Sequence, residues 1–119
     1  MPFVLKSKTI HWTFHARDKM RFYGLSEQRV GRVINTPKRI EEGIAPKTVA
    51  VMQPTSLKKS SKGSEDWNQE IWVMFQDKKS VRTIISAWRY PGKTKPKSDA
   101  VIEGIKAAYN EYMRSHESR

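Results

Sequence analysis

The chain contains no cysteine. That excludes disulfides, thiolate metal sites and cysteine nucleophiles, and makes a reducing cytoplasm the expected home. Long apolar runs are missing too. The longest, Ile71 to Phe75, is five residues, against roughly 20 for a membrane-spanning helix, so no membrane partner is expected. Met1 to Lys8 is too short and too mixed to read as a secretory leader. Gly43, Gly63 and Gly92 stand alone, without the spacing of a Walker or dinucleotide-binding loop. Ser56, Ser60 and Ser61 lack the strand–turn–helix setting of a hydrolase elbow. No cofactor is expected.

Acidic residues are also scarce. The chain has 119 residues, the length of one domain, with 12 Asp and Glu against 23 Lys and Arg and a net charge of +11. A fold does not need that excess, which costs self-repulsion and attracts phosphates over long range. The imbalance is uneven. Residues 1–64 hold 13 basic against 4 acidic side chains, a net of +9, whereas residues 65–119 hold 10 against 8, a net of +2. The expected partner is a polyanion, RNA ahead of DNA, bound on a face built largely from the first half.

Thr9 to His15 alternates, with Ile10, Trp12 and Phe14 opposed to Thr9, His11, Thr13 and His15. This predicts a half-buried strand. A short helix over 16–23 ends at Gly24, placed as a left-handed cap. Ser26 opens a second helix, with Leu25 and Val30 spaced as a hydrophobic staple, a stripe of Val30, Val33 and Ile34, and a stop at Pro37. Strands follow at Thr48–Gln53, Glu70–Gln76 and Val81–Tyr90, with a short edge strand at Arg39–Glu42. The link Asp77–Ser80 reads as a hairpin turn. Along the last strand, Val81, Thr83, Ile85 and Ala87 oppose Arg82, Ile84, Ser86 and Trp88. Residues 54–66 form a Ser/Lys-rich, mobile loop, and 91–97 a basic linker. Ser98 caps a closing helix whose stripe is Val101, Ile102, Ile105, Ala108, Tyr109, Tyr112 and Met113. Short links between strands favour antiparallel pairing. The expected class is α+β: one domain over 1–119, a small antiparallel sheet with two N-terminal helices packed on it and a C-terminal helix.

The densest polar constellation is His11, His15, Arg17, Lys19, Arg21 and Tyr23. Imidazole exchanges protons near neutral pH, and guanidinium holds a phosphate at two points. Cleaving RNA needs a base, an acid and cations on the phosphate. A second constellation, Arg82, Trp88, Arg89 and Tyr90, offers charge and stacking faces for bases, although Trp88 also suits the core. Lys58, Lys59 and Lys62 form a loop cluster that follows a backbone without reading sequence. Two histidines four apart on a strand are separated by about 13 Å, too far to chelate one ion, so no metal site is expected.

These residues resemble a known family. Thr13-Phe14-His15-Ala16-Arg17-Asp18-Lys19-Met20-Arg21-Phe22-Tyr23-Gly24-Leu25-Ser26 is similar to the opening of small uncharacterised bacterial domains related to the RelE/ParE toxins, with Lys19-Met20 where an Arg-Met pair is usual. Arg82 to Arg89 resembles the last strand of the BrnT toxins. The likeness covers residues 9–90 and leaves out the closing helix and the Lys58–Lys62 loop. It implies a RelE-like fold, a metal-independent ribonuclease activity restrained by an antitoxin protein, and His15, Arg17, Arg82 and Arg89 as site residues. Three readings stand together at this point. One is a toxin-like endoribonuclease, with His15 as base or acid and Arg17, Arg82 and Arg89 holding phosphate. Another is a non-catalytic RNA-binding module. The third is an interaction domain for an acidic protein partner.

Overall fold

The computed structural model describes residues 8–59 and 63–117. The order is β1 (Thr9–Trp12), α1 (Phe14–Tyr23), α2 (Glu27–Asn35), β2 (Arg39–Glu42), β3 (Val49–Pro54), β4 (Lys58–Lys59), β5 (Glu65–Asp66), β6 (Glu70–Lys78), β7 (Val81–Tyr90) and α3 (Asp99–Glu117). It is an α+β chain. Five strands form one sheet in the order β1-β7-β6-β3-β2. The meander β2–β3–β6–β7 is antiparallel, as the short links require, but β1 lies parallel on β7, with Thr9 opposite Val81 and Trp12 opposite Ile84. The wholly antiparallel expectation is corrected there. Link length constrains only strands adjacent in sequence, and β1 and β7 are separated by residues 13–80, more than half of the chain.

Strand β1 is shorter than the alternation implies. Thr13 leaves the ladder: its hydroxyl donates to the Ile84 carbonyl at 2.8 Å and accepts from the Ala16 N–H at 3.0 Å, so it caps α1. Ile10 (40% exposed) and Phe14 (68%) are therefore not core residues, and only Trp12 of the expected apolar face packs inward. Gly24, at φ 67°, closes α1 in the left-handed conformation. Ser26 caps α2 by accepting from Arg29 N–H at 3.0 Å.

Helices α1 and α2 cover one face of the sheet through Ala16, Met20, Val30 and Val33, against Val51, Ile71, Val73 and Ile84. Helix α3 covers the other through Val101, Ile105 and Ala108, against Met52, Trp72, Met74 and Ile85. With both faces covered, β6 is continuously apolar. A bulge at Met74/Phe75, opposite Ser86 and Ile84, breaks the expected alternation of β7. It puts Ile84 and Ala87 on the α1/α2 face and Ile85 on the α3 face.

Two segments differ from their expectation. Residues 54–66 are not featureless, because Lys58–Lys59 pairs with Glu65–Asp66 as a short antiparallel ladder; Ser60, Ser61 and Lys62 lie outside the described residues. Residues 91–97 are tied down rather than a free linker. Thr94 is buried and donates from N–H and Oγ1 to Glu70, at 2.8 Å each, while Lys97 N–H reaches Glu41 at 3.1 Å. Ser98 precedes α3, and its carbonyl accepts from Ile102, but its Oγ is enclosed and makes no hydrogen bond among the described residues. No helix among the described residues is long and apolar enough to cross a membrane.

Candidate functional site: a histidine cleft

A cleft of about 460 Å³ opens where β1, the start of α1 and the end of α3 meet. The β1–β7 register sets His11 beside Thr83, and the β6–β7 register sets Thr83 beside Gln76, so the three form a row across the sheet. All three line the cleft, together with His15, Tyr112 and Ser115. His11 and His15 thus line one cleft, but not as members of one strand face. His11 arrives on β1 and His15 on the first turn of α1, turned in by the Thr13 cap.

His15 stands 6.3 Å from Tyr112, ring centre to ring centre, at 59°. Burial pushes its pKa down from the ordinary 6.5, Glu111 opposes this and Lys19 adds to it. The positive end of the α1 dipole acts in the same direction as burial. His15 is therefore a neutral imidazole at pH 7. Its Nε2 is enclosed and has no hydrogen-bond partner among the described residues, a condition that costs about 1–3 kcal/mol when left unrelieved. A neutral imidazole can accept a proton, but with Nε2 enclosed a substrate hydroxyl reaches it only if the cleft wall moves.

None of the other sequence candidates among the described residues lines this cleft. Arg17 pairs with Glu27 at 2.7 Å and sits 5.8 Å over the Trp12 ring. Lys19 pairs with Glu111 at 3.3 Å, and Arg21 with Asp18. Arg82 is on the α1/α2 face, 4.1 Å over Phe75, and clasps Asp77 with bonds of 2.7 and 2.8 Å. Those bonds hold the Asp77 carboxyl below its usual range and raise the guanidinium pKa. Arg89 is five residues beyond Ile84, about 17 Å along the strand, and donates to the Tyr23 carbonyl at 2.8 Å and to Gln69 at 3.1 Å. Tyr23 packs against the α1/α2 core. Trp88 stacks on Trp72 at 6.0 Å and 5°, and Tyr90 packs on the α3-side core. Lys58 and Lys59 are exposed on the β4–β5 ladder.

No Lys or Arg lines the cleft among the described residues. Nor do three His, Asp or Glu side chains gather there as metal ligands. Sequence reasoning missed Gln76, Thr83, Tyr112 and Ser115. Tyr112 was legible only as part of a helix stripe, and the other three carry no local signal, since only the strand register and the docking of α3 bring them to the histidines. Compared with family models, with curated proteins and with solved structures, the chain finds no match in any of the three.

Proposed function

We propose that the chain is an RNA-binding, toxin-like protein of RelE type that cleaves RNA without a metal at the His11–His15 cleft. The observation that carries this is that two imidazoles from separate elements line one cleft, one of them favoured in its neutral form by burial. His15 takes the proton of a ribose 2′-hydroxyl. The 2′-oxygen bonds to the adjacent phosphorus, the bond from phosphorus to the 5′-oxygen breaks, and protonated His11 gives its proton to that leaving oxygen. The products are a 2′,3′-cyclic phosphate and a free 5′-hydroxyl. General acid and base steps of this kind contribute about 10²–10⁴ each. Thr83 and Gln76 are placed to donate hydrogen bonds to the phosphate oxygens.

The RelE-like reading of the fold is supported by the order β-α-α followed by an antiparallel meander. The closing helix, outside that resemblance, supplies Tyr112 and Ser115 to the cleft. An antitoxin protein is the partner this reading entails. A second reading, an RNA-binding module that does not cut, is favoured by the lack of Lys and Arg in the described cleft lining.

The test is incubation with end-labelled RNA in excess chelator. The expected result is cleavage leaving cyclic phosphate ends, reduced about 100-fold or more in His15→Ala and in His11→Ala with the folded circular dichroism spectrum retained. Binding without cleavage by the unaltered protein refutes the enzyme and leaves the second reading.

A further inference from the structure

The fold pairs some basic side chains with carboxylates and leaves others without one among the described residues, three of these clustered together. Arg17, Lys19, Arg21, Lys38, Arg39, Arg82 and Lys93 each have a carboxylate partner. Arg29, Arg32 and Arg89 make no ion pair among the described residues. Where Arg29 and Arg89 are held, neutral acceptors hold them: the Gln53 side chain and the Pro54 carbonyl for Arg29, the Tyr23 carbonyl and Gln69 for Arg89. The three are close enough to repel. Burial lowers the Arg29 pKa first, and Arg32 and Arg89 lower it further. A cluster of like charges without counter-charge is a standing cost to the fold that a bound anion relieves.

The cluster borders a groove of about 390 Å³ between the end of α2 and the end of β3, with Arg29, Arg32 and Thr36 on one wall and Gln53 to Leu57 on the other. The chain leaving the groove at Leu57 continues straight into the exposed Lys58 and Lys59. Arg89 stands behind the second wall, since Gln69 accepts from both Arg89 and Thr55. The groove lies on the α2 side of the sheet, away from the histidine cleft. Gln53 is opposite Ile71 on β6, five residues along that strand from Gln76.

We propose that this groove is a second site, one that holds the phosphate backbone of single-stranded nucleic acid, with Arg29 and Arg32 as its lining cations and Lys58 and Lys59 as its extension. A phosphate oxyanion is the shared chemistry. An extended strand rather than a free phosphate is the ligand, because Lys58 and Lys59 carry the line of cations on from the groove along β4, against the opposing carboxylates of Asp66 and Glu65 across the ladder. Only the choice of RNA as that strand rests on the function proposed above.

Fluorescence polarisation with a labelled oligouridine of about 12 nucleotides, over a range of salt, tests the site. Arg32→Gln and Lys58→Gln are each expected to weaken binding about 3–10-fold and to flatten the log–log salt slope by about 0.7, the share of one phosphate on a single strand. Lys106→Gln, which removes an exposed charge from α3, is expected to leave the slope unchanged. If the first two variants behave like Lys106→Gln, the proposal is overturned. It is also overturned if pyrophosphate displaces the RNA equally well whatever the oligonucleotide length, which assigns the groove to free phosphate. His15→Ala in the same assay separates the two sites. Binding lost in Arg32→Gln with no cleavage by the unaltered protein sinks the nuclease and keeps the groove, while cleavage and binding untouched by Arg32→Gln do the reverse.

Discussion

Glu70→Gln probes the most enclosed charged group in the described structure. Glu70 is 0% exposed, at the start of a central strand. Its Oε1 accepts from Trp72 Nε1 at 2.9 Å and Thr94 Oγ1 at 2.8 Å, and its Oε2 from Trp67 Nε1 and the Thr94 N–H, both at 2.8 Å. Arg39 lies 3.8 Å away. Burial works against ionisation, but the bonds from Trp67, Thr94 and Trp72 together outweigh it and hold the carboxyl below its ordinary 4.5. Glutamine has nearly the same shape and one oxygen. Whichever way the amide turns, its nitrogen faces two donors, and two hydrogen bonds are lost. Hydrogen bonds to a charge are worth about 1.5–3 kcal/mol each, offset in part because a neutral amide is cheaper to bury, so we expect a loss of about 3 kcal/mol at pH 7. For a domain of this size that is roughly 10–15 °C in Tm, measured by circular dichroism. Because the folded pKa is depressed, the stabilisation by Glu70 is present above pH 4.5 and is lost as pH falls through the folded value. The gap between the two proteins should therefore close in acid. A Tm within about 3 °C of the unaltered protein at pH 7, or a gap that does not narrow, refutes this account of the network.

Thr13→Ala removes both the α1 cap and the tie to β7, with an expected cost of about 1–2 kcal/mol in urea denaturation that Thr13→Ser largely restores. Gly24→Ala meets no steric clash but forces alanine to φ 67°, for about 1 kcal/mol by the same assay. The depressed pKa of His15 resists protonation in the folded state while the unfolded chain takes up a proton near 6.5. Stability should therefore decline from about pH 6.5 downward to the folded value, and His15→Gln should flatten that part of the pH profile in urea melts at pH 7, 6 and 5.

Much of the fold was readable from local chemistry. Gly24 and Ser26 mark helix boundaries because a left-handed cap and an N-cap each depend on one residue and its immediate neighbours. The bounds Val81–Tyr90 and Arg39–Glu42 follow from β-branched composition between turn signals. The parallel placement of β1 and the bulge opposite Ser86 and Ile84 were not readable, since both depend on pairings between distant segments. Glu70 looked like an ordinary strand terminus, because its four donors come from Trp67, Trp72 and Thr94, and only the last of these lies beyond its neighbours in sequence.

Composition determined by itself that this is a strongly basic chain without thiol chemistry, and the order of periodic segments made it α+β. The sequence also singled out His15, as an imidazole in a dense run of basic side chains, although it placed that residue on a strand face rather than on the first turn of α1. Only the tertiary structure decided which cations are spent. Arg17, Lys19, Arg21 and Arg82 stand out in the sequence, yet each meets a carboxylate in the fold, while Arg29 and Arg32, inconspicuous on an amphipathic helix, meet none. Net charge is a sum over residues and can be counted. Local field depends on distance between side chains, and those distances exist only once the chain has folded.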